Sequence, residues 1–90
     1  MNIIFSEYFK YKAQLRGFEL PKVENILRYS TEQYFDTVTH RIIVVGRHDK
    51  RLVIIPYEKY EDSIIPVTIH AVTRQQITYR LKTGRLTIYE

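Results

Sequence analysis

Cysteine is absent from the 90 residues, so no disulfide frame and no thiolate metal site can form, and a reducing compartment fits the chain. Tryptophan is absent too, and eight tyrosines supply aromatic area that keeps a polar tip. No apolar run approaches the roughly 18 residues of a membrane span. The opening stretch MNIIFSEYFKYK lacks the basic-then-apolar order of a signal peptide. No linker, internal repeat or low-complexity segment divides the chain. One cytoplasmic, soluble domain over residues 1–90, with no membrane partner, is therefore the expectation.

Recurrent catalytic signatures are missing as well: there is no GxxxxGK[ST] loop, no HExxH and no GxSxG. The three histidines, His40, His48 and His70, lie on different elements with no pair at i, i+4. That spacing does not suit zinc, so neither a metal nor another cofactor is expected.

What the chain does have is positive charge and β-branched runs. Net charge is +4, which favours polyanions without proving them as partners. Its distribution is uneven: between Thr73 and Glu90 four basic residues (Arg74, Arg80, Lys82, Arg85) face one acid, and the short run RHDKR at 47–51 adds Arg47, Lys50 and Arg51.

Local signals divide the chain into seven elements. Ser6 can cap a first helix, SEYFKYKAQLRG, with Gly17 as its left-handed terminator; Phe5, Phe9 and Ala13 line its apolar side. Pro21 opens a second, PKVENILRY, with Val23, Ile26 and Leu27 at helical spacing. Strands are expected at QYFDTV, RIIVVGRH, RLVIIPY and SIIPVTIHAV, the middle two forming an antiparallel hairpin about Asp49-Lys50. EKYEDS reads as a polar loop, and Pro66 as a bulge or edge position. Thr73 and Gln76 form a capping box for a last helix, with Val72 and Ile77 as its hydrophobic staple, Leu81 on its buried stripe and Gly84 past its end. The expected fold is α+β in the order α-α-β-β-β-β-α: two N-terminal helices, a mostly antiparallel sheet of three to four strands, and a closing C-terminal helix. Continuous apolar runs such as IIVV and LVII predict strands covered on both faces. With three short helices assigned to one face, the other is left to a partner chain, a second copy, or a hydrophobic floor beneath a basic rim.

Basic residues together with His and Tyr suffice for one reaction, RNA cleavage by the substrate's own 2′-OH. The nucleophile is in the RNA, so the protein needs only cations for the phosphoryl oxygens and a group to move a proton. In the stretch PVTIHAVTRQQITYR, strand alternation puts Thr68, His70 and Val72 on one face and Val67, Ile69 and Ala71 on the other. His70 then looks outward near the start of the last helix, beside Arg74 and that helix's positive end, where a phosphate could sit. Blander readings stand beside this one. A strand-end His is commonly a hydrogen-bonded structural residue, RHDKR is equally a soluble turn, and Lys10, Lys12 and Arg16 equally a solvated helix face.

The segment SEYFKYKAQLRGF resembles the opening pattern S-x-H-A-x-x-R-x-x-x-R-G-[IV] of short BrnT-like relatives in the RelE/ParE toxin superfamily. Ser6 matches, Tyr8 stands where His is expected, Lys12 takes the first Arg position, and Arg16-Gly17 match the second Arg and its Gly. VTIHAVTRQQITYR is similar to that group's closing strand and Arg-rich helix. The resemblance implies a RelE-like fold and the toxin of a type II toxin–antitoxin pair, a metal-independent endoribonuclease acting on messenger RNA and neutralised by a cognate antitoxin. On this expectation Lys12, Arg16 and Arg74 stabilise the phosphate and His70 or Tyr8 handles the proton. Arg41, Arg47, Arg51, Arg80 and Lys82 are the candidates for holding the RNA backbone. The alternative is a non-catalytic interaction or nucleic-acid-binding module that dimerises, or binds a partner, through its apolar sheet.

Overall fold

A computed structural model describes residues 1–89. The elements run β1 (Asn2–Ile3), α1 (Glu7–Leu15), α2 (Leu20–Tyr29), β2 (Glu32–Asp36), β3 (Ile42–His48), β4 (Arg51–Tyr60), β5 (Ser63–Pro66), β6 (His70–Ala71), α3 (Arg74–Lys82) and β7 (Leu86–Ile88). All seven strands join one mixed sheet in the order β1-β5-β4-β3-β2-β7, with β6 paired beside β5 on β4. The expected three to four strands and all-N-terminal helix pair are thus overturned: a strand precedes α1, and another follows α3.

Each difference has a local cause. Two-residue β1 exists because β5 offers it a parallel edge, with Asn2 opposite Ser63 and Ile3 opposite Ile64. The supposed loop EKYEDS shrinks to a turn at Glu61-Asp62, since β4 keeps pairing with β5 as far as Tyr60 opposite Ser63. SIIPVTIHAV is two strands, because residues 67–69 leave the ladder between β5 and β6. Pro66 lies past the end of β1, where no neighbour asks for its missing N–H. After α3 the chain turns through Gly84, which takes φ +78°, and Leu86–Ile88 pair antiparallel with β2.

The local helix signals act as read from the sequence. Ser6 accepts from the Phe9 N–H at 3.0 Å, and Thr73 and Gln76 exchange the two bonds of a capping box. The end of α1 has help from far along the chain, since the Arg51 guanidinium donates to the Arg16 and Gly17 carbonyls at 3.0 and 2.7 Å. Those are carbonyls that a helix end leaves without intrahelical partners.

The β-branched runs of β3 and β4 are apolar throughout because they feed two cores. Val44, Val53, Ile55 and Tyr57 pack with Phe9, Ala13, Val23, Ile26 and Leu27 of α1 and α2. Ile43, Val45, Leu52 and Ile54 pack with Val72, Ile77 and Leu86 on the opposite face, under α3. The apolar surface left to a second copy or partner chain is therefore filled by the protein's own last helix. No helix among the described residues is long and apolar enough to cross a membrane.

α2 sits tightly on β3 at Gly46. A Cβ built there lies 2.5 Å from Ile26 Cγ2, and Ile26 is itself buried and branched at Cβ. Gly46→Ala is expected to cost about 1–3 kcal/mol through overpacking, read as a lower urea midpoint. An unchanged midpoint would mean that α2 shifts freely on the sheet.

Candidate functional site

Between β5 and β6 the Ile69 carbonyl has no strand partner, and Arg16 reaches it and the neighbouring Thr68 hydroxyl from the end of α1. Its Nη1 donates to Ile69 O at 2.7 Å and to Thr68 Oγ1 at 3.2 Å, and lies 3.2 Å from His70 Nδ1. A guanidinium only donates, so the third contact assigns the lone pair to Nδ1 and the proton to Nε2, which lies 3.4 Å from Thr68 Oγ1. Nη1 carries two hydrogens and faces three acceptors, so the imidazole contact is shared rather than exclusive. The His70 pKa falls below its ordinary value, first through partial desolvation of the ring and then through the charges of Arg16, Arg80 and Lys12. His70 is therefore neutral at pH 7.

His70 also forms part of the wall of a cleft of about 480 Å³ on the α3 side of the sheet. Ile43, Ile54, Pro56, Val67 and Val72 make its floor, while Arg41, Arg80, Arg85, Thr39, Thr68 and Gln76 stand around it. The three guanidiniums are not equivalent. Arg85 is committed to Asp36, donating from Nε and Nη2 at 2.8 and 3.0 Å. Arg41 has Glu58 only at 4.0 Å, and its buried Nε has no hydrogen-bond partner. Arg80, half-buried on the last turns of α3, has no carboxylate within ion-pair distance among the described residues. An apolar floor with two under-committed guanidiniums and a neutral imidazole suits an anion carrying an organic body, such as a nucleotide.

Of the residues expected to act together, the structure brings Lys12, Arg16 and His70 to one neighbourhood, with Lys12 close enough to bias the imidazole. Arg74 is not with them. Its two terminal nitrogens bind both carboxylate oxygens of Glu32, Nη2 to Oε1 at 2.8 Å, and this pairing holds Glu32 below the usual carboxylate range. At the α3 N-terminus the capping box engages the Thr73 and Gln76 N–H groups, and the Arg74 side chain beside it is taken up by Glu32. Tyr8 is exposed, with Lys12 Nζ 5.5 Å from its ring centroid.

The five backbone-binding candidates separate in the same way. Arg41 and Arg80 line the cleft. Arg51 is structural, stacked 4.1 Å over the Phe18 ring and bound to the end of α1. Arg47 turns back toward Lys50 O at 3.4 Å, in an open groove beside Lys22 and Asp49 on the α2 side. Lys82 is exposed in the last turn of α3, where a cation suits the helix dipole. His48 is buried and structural: its Nε2 accepts the Glu19 N–H at 2.8 Å and its ring meets Phe18 edge-on.

Sequence reasoning missed Arg85, Asp36 and Thr39 as parts of the cleft wall, and no local pattern marks them. Their meeting depends on β7 returning beside β2. Among the described residues no group of three His, Asp or Glu side chains is arranged to hold a metal ion. No family model matches the chain, and no curated protein or solved structure is significantly similar to it.

Proposed function

We propose that the protein is a metal-independent endoribonuclease of the toxin type, and that its cleft grips the phosphodiester to be cut. The observation that carries the reading is one neutral imidazole that meets Arg16 and lines a cleft together with Arg80 and Arg41. The nuclease reading needs the same groups: cations for the phosphoryl oxygens, and a base for the 2′-OH.

In this mechanism the Arg16 Nη1, shared among three acceptors, holds the Nδ1 lone pair only in part. When that contact yields, His70 takes the 2′-OH proton. The 2′ oxygen forms its bond to phosphorus, the bond to the 5′ oxygen breaks, and that oxygen takes a proton from solvent. Arg80 and Arg41 stabilise the charge that builds on the phosphoryl oxygens. The products are a 2′,3′-cyclic phosphate and a 5′-hydroxyl. The toxin reading further implies a cytoplasmic setting and a cognate antitoxin that covers the cleft.

Incubation of the pure protein with RNA in EDTA tests this. Fragments ending in cyclic phosphate are expected, reduced about 10²-fold or more in Arg80→Ala. Arg74→Ala, which removes a side chain whose hydrogen bonds all go to Glu32, keeps cleavage within about twofold. RNA that is bound but remains intact would overturn the nuclease and leave a binding site.

A further inference from the structure

The cleft does not end at Arg80. On the outer side of α3, a shallow depression of about 380 Å³ is formed by Gln75, Gln76, Tyr79 and Arg80, and two of these four, Gln76 and Arg80, also border the cleft. The two hollows thus share a wall, and the next feature beyond the cationic rim is the Tyr79 ring. Tyr79 is 68% exposed and its hydroxyl makes no hydrogen bond to the protein among the described residues. An aromatic ring left bare on a helix surface forgoes burial, yet this one is placed where it extends a charged site.

The other exposed tyrosines differ in their surroundings. Lys12 already lies over the Tyr8 ring, Tyr11 shares a separate hollow with Gln14 and Leu15, Tyr29 borders a groove of mixed charge holding Lys22, Arg47 and Asp49, and Tyr60, at the end of β4, borders none of the hollows described. Among the hollows described, only Tyr79's joins the Arg41–Arg80–His70 cleft. Consecutive residues on a helix point about 100° apart, so Tyr79 and Arg80 present a flat apolar face and a cation side by side. A polynucleotide strand alternates the same two features, a π-faced base and a phosphate.

Building on the cleft as a phosphodiester site, we propose that its substrate is single-stranded and that Tyr79 stacks the base next to the phosphate held by Arg80. A duplex keeps its base faces within the helical stack and cannot offer one to the ring. Stacking on an aromatic side chain does not depend on which base is present, so the site would accept many sequences.

The test uses fluorescence anisotropy with a short labelled 2′-O-methyl RNA, which lacks the nucleophile and stays intact. An abasic strand with the same number of phosphates and a duplex of the same length serve as comparisons. Tyr79→Ala is expected to weaken binding of the base-bearing strand roughly 5- to 150-fold and to leave the abasic strand unchanged. Tyr79→Phe keeps the wild-type affinity, and an unaltered thermal midpoint shows that the fold is intact. Arg80→Ala weakens both strands. Equal loss on both strands in Tyr79→Ala, no loss on either, or a duplex bound as tightly as the single strand would overturn the stacking role while leaving the cleft in place. Failure of the wild-type protein to bind either strand, or an Arg80→Ala protein that binds both normally, would remove the cleft reading itself.

Discussion

Asp36→Ala is expected to lower stability by about 2–4 kcal/mol at neutral pH. Asp36 is 4% exposed and ends β2, and its carboxylate accepts four bonds: Arg85 Nε and Nη2 at 2.8 and 3.0 Å, and the Val38 and Thr39 N–H groups at 2.9 and 3.1 Å. It therefore holds the β2–β3 turn and the approach to β7 with one side chain. Alanine leaves two backbone donors and a guanidinium without their acceptor.

The pH dependence has a definite sign. Burial alone would raise the Asp36 pKa, but the Arg85 bond and the Thr39 and Val38 N–H groups win and bring it down to about 2. A carboxyl whose folded value lies below its unfolded value stabilises the fold above the unfolded value, near 4. That contribution, about 2 kcal/mol, disappears as pH falls from 4 towards 2. Urea unfolding of wild type and Asp36→Ala at pH 7, 4 and 2.5 checks this: the difference between them should shrink with acidification. A difference that stays constant across that range would show that the carboxylate's charge is not what holds β7 to β2.

His70→Ala should cut RNA cleavage by about 10²- to 10⁴-fold, the usual contribution of a positioned general base, while leaving affinity for uncleavable RNA nearly unchanged. The pH profile separates a base from a structural imidazole. Desolvation and the charges of Arg16, Arg80 and Lys12 all lower the His70 pKa, so the base form is present at neutral pH and the acid limb of kcat/KM lies below the ordinary histidine value. Arg16→Ala and Arg80→Ala each remove one of those charges, and the limb should move upward in both. Their relative defect is then greater at pH 6 than at pH 8. Wild-type cleavage by His70→Ala, or an unmoved limb in both arginine variants, would exclude His70 as the proton acceptor.

The helices were legible because their signals are local. Ser6, Pro21, the Thr73–Gln76 box and the glycines at 17 and 84 each act within one helical turn of the position they mark. β3 and β4 were legible as apolar runs, and their lack of alternation correctly pointed to two covered faces. What covers the second face was not, since nothing local says that α3 crosses the sheet from α1 and α2. β1 and β7 escaped notice because two or three residues carry no period, and each is a strand only by virtue of a distant edge.

The site divides along the same line. His70, Arg16 and Lys12 stood out by residue type and do meet, although Arg16 and His70 are 54 positions apart. Arg74 matched its context in sequence, yet its charge is satisfied by Glu32, 42 positions away. The cap chemistry assigned to the start of α3 was read correctly.

Val44 and Val45 are neighbours in sequence that belong to different interiors, one beneath α1 and α2 and the other beneath α3. Of these two interiors the cleft draws only on the second for its floor, through Ile43, Ile54 and Val72. Conservative changes among Val23, Leu27 and Val53 can therefore retune the robustness of the molecule while the ligand-facing half keeps its shape. The central strands act as a partition, and selection can work on each compartment with little cost to the other.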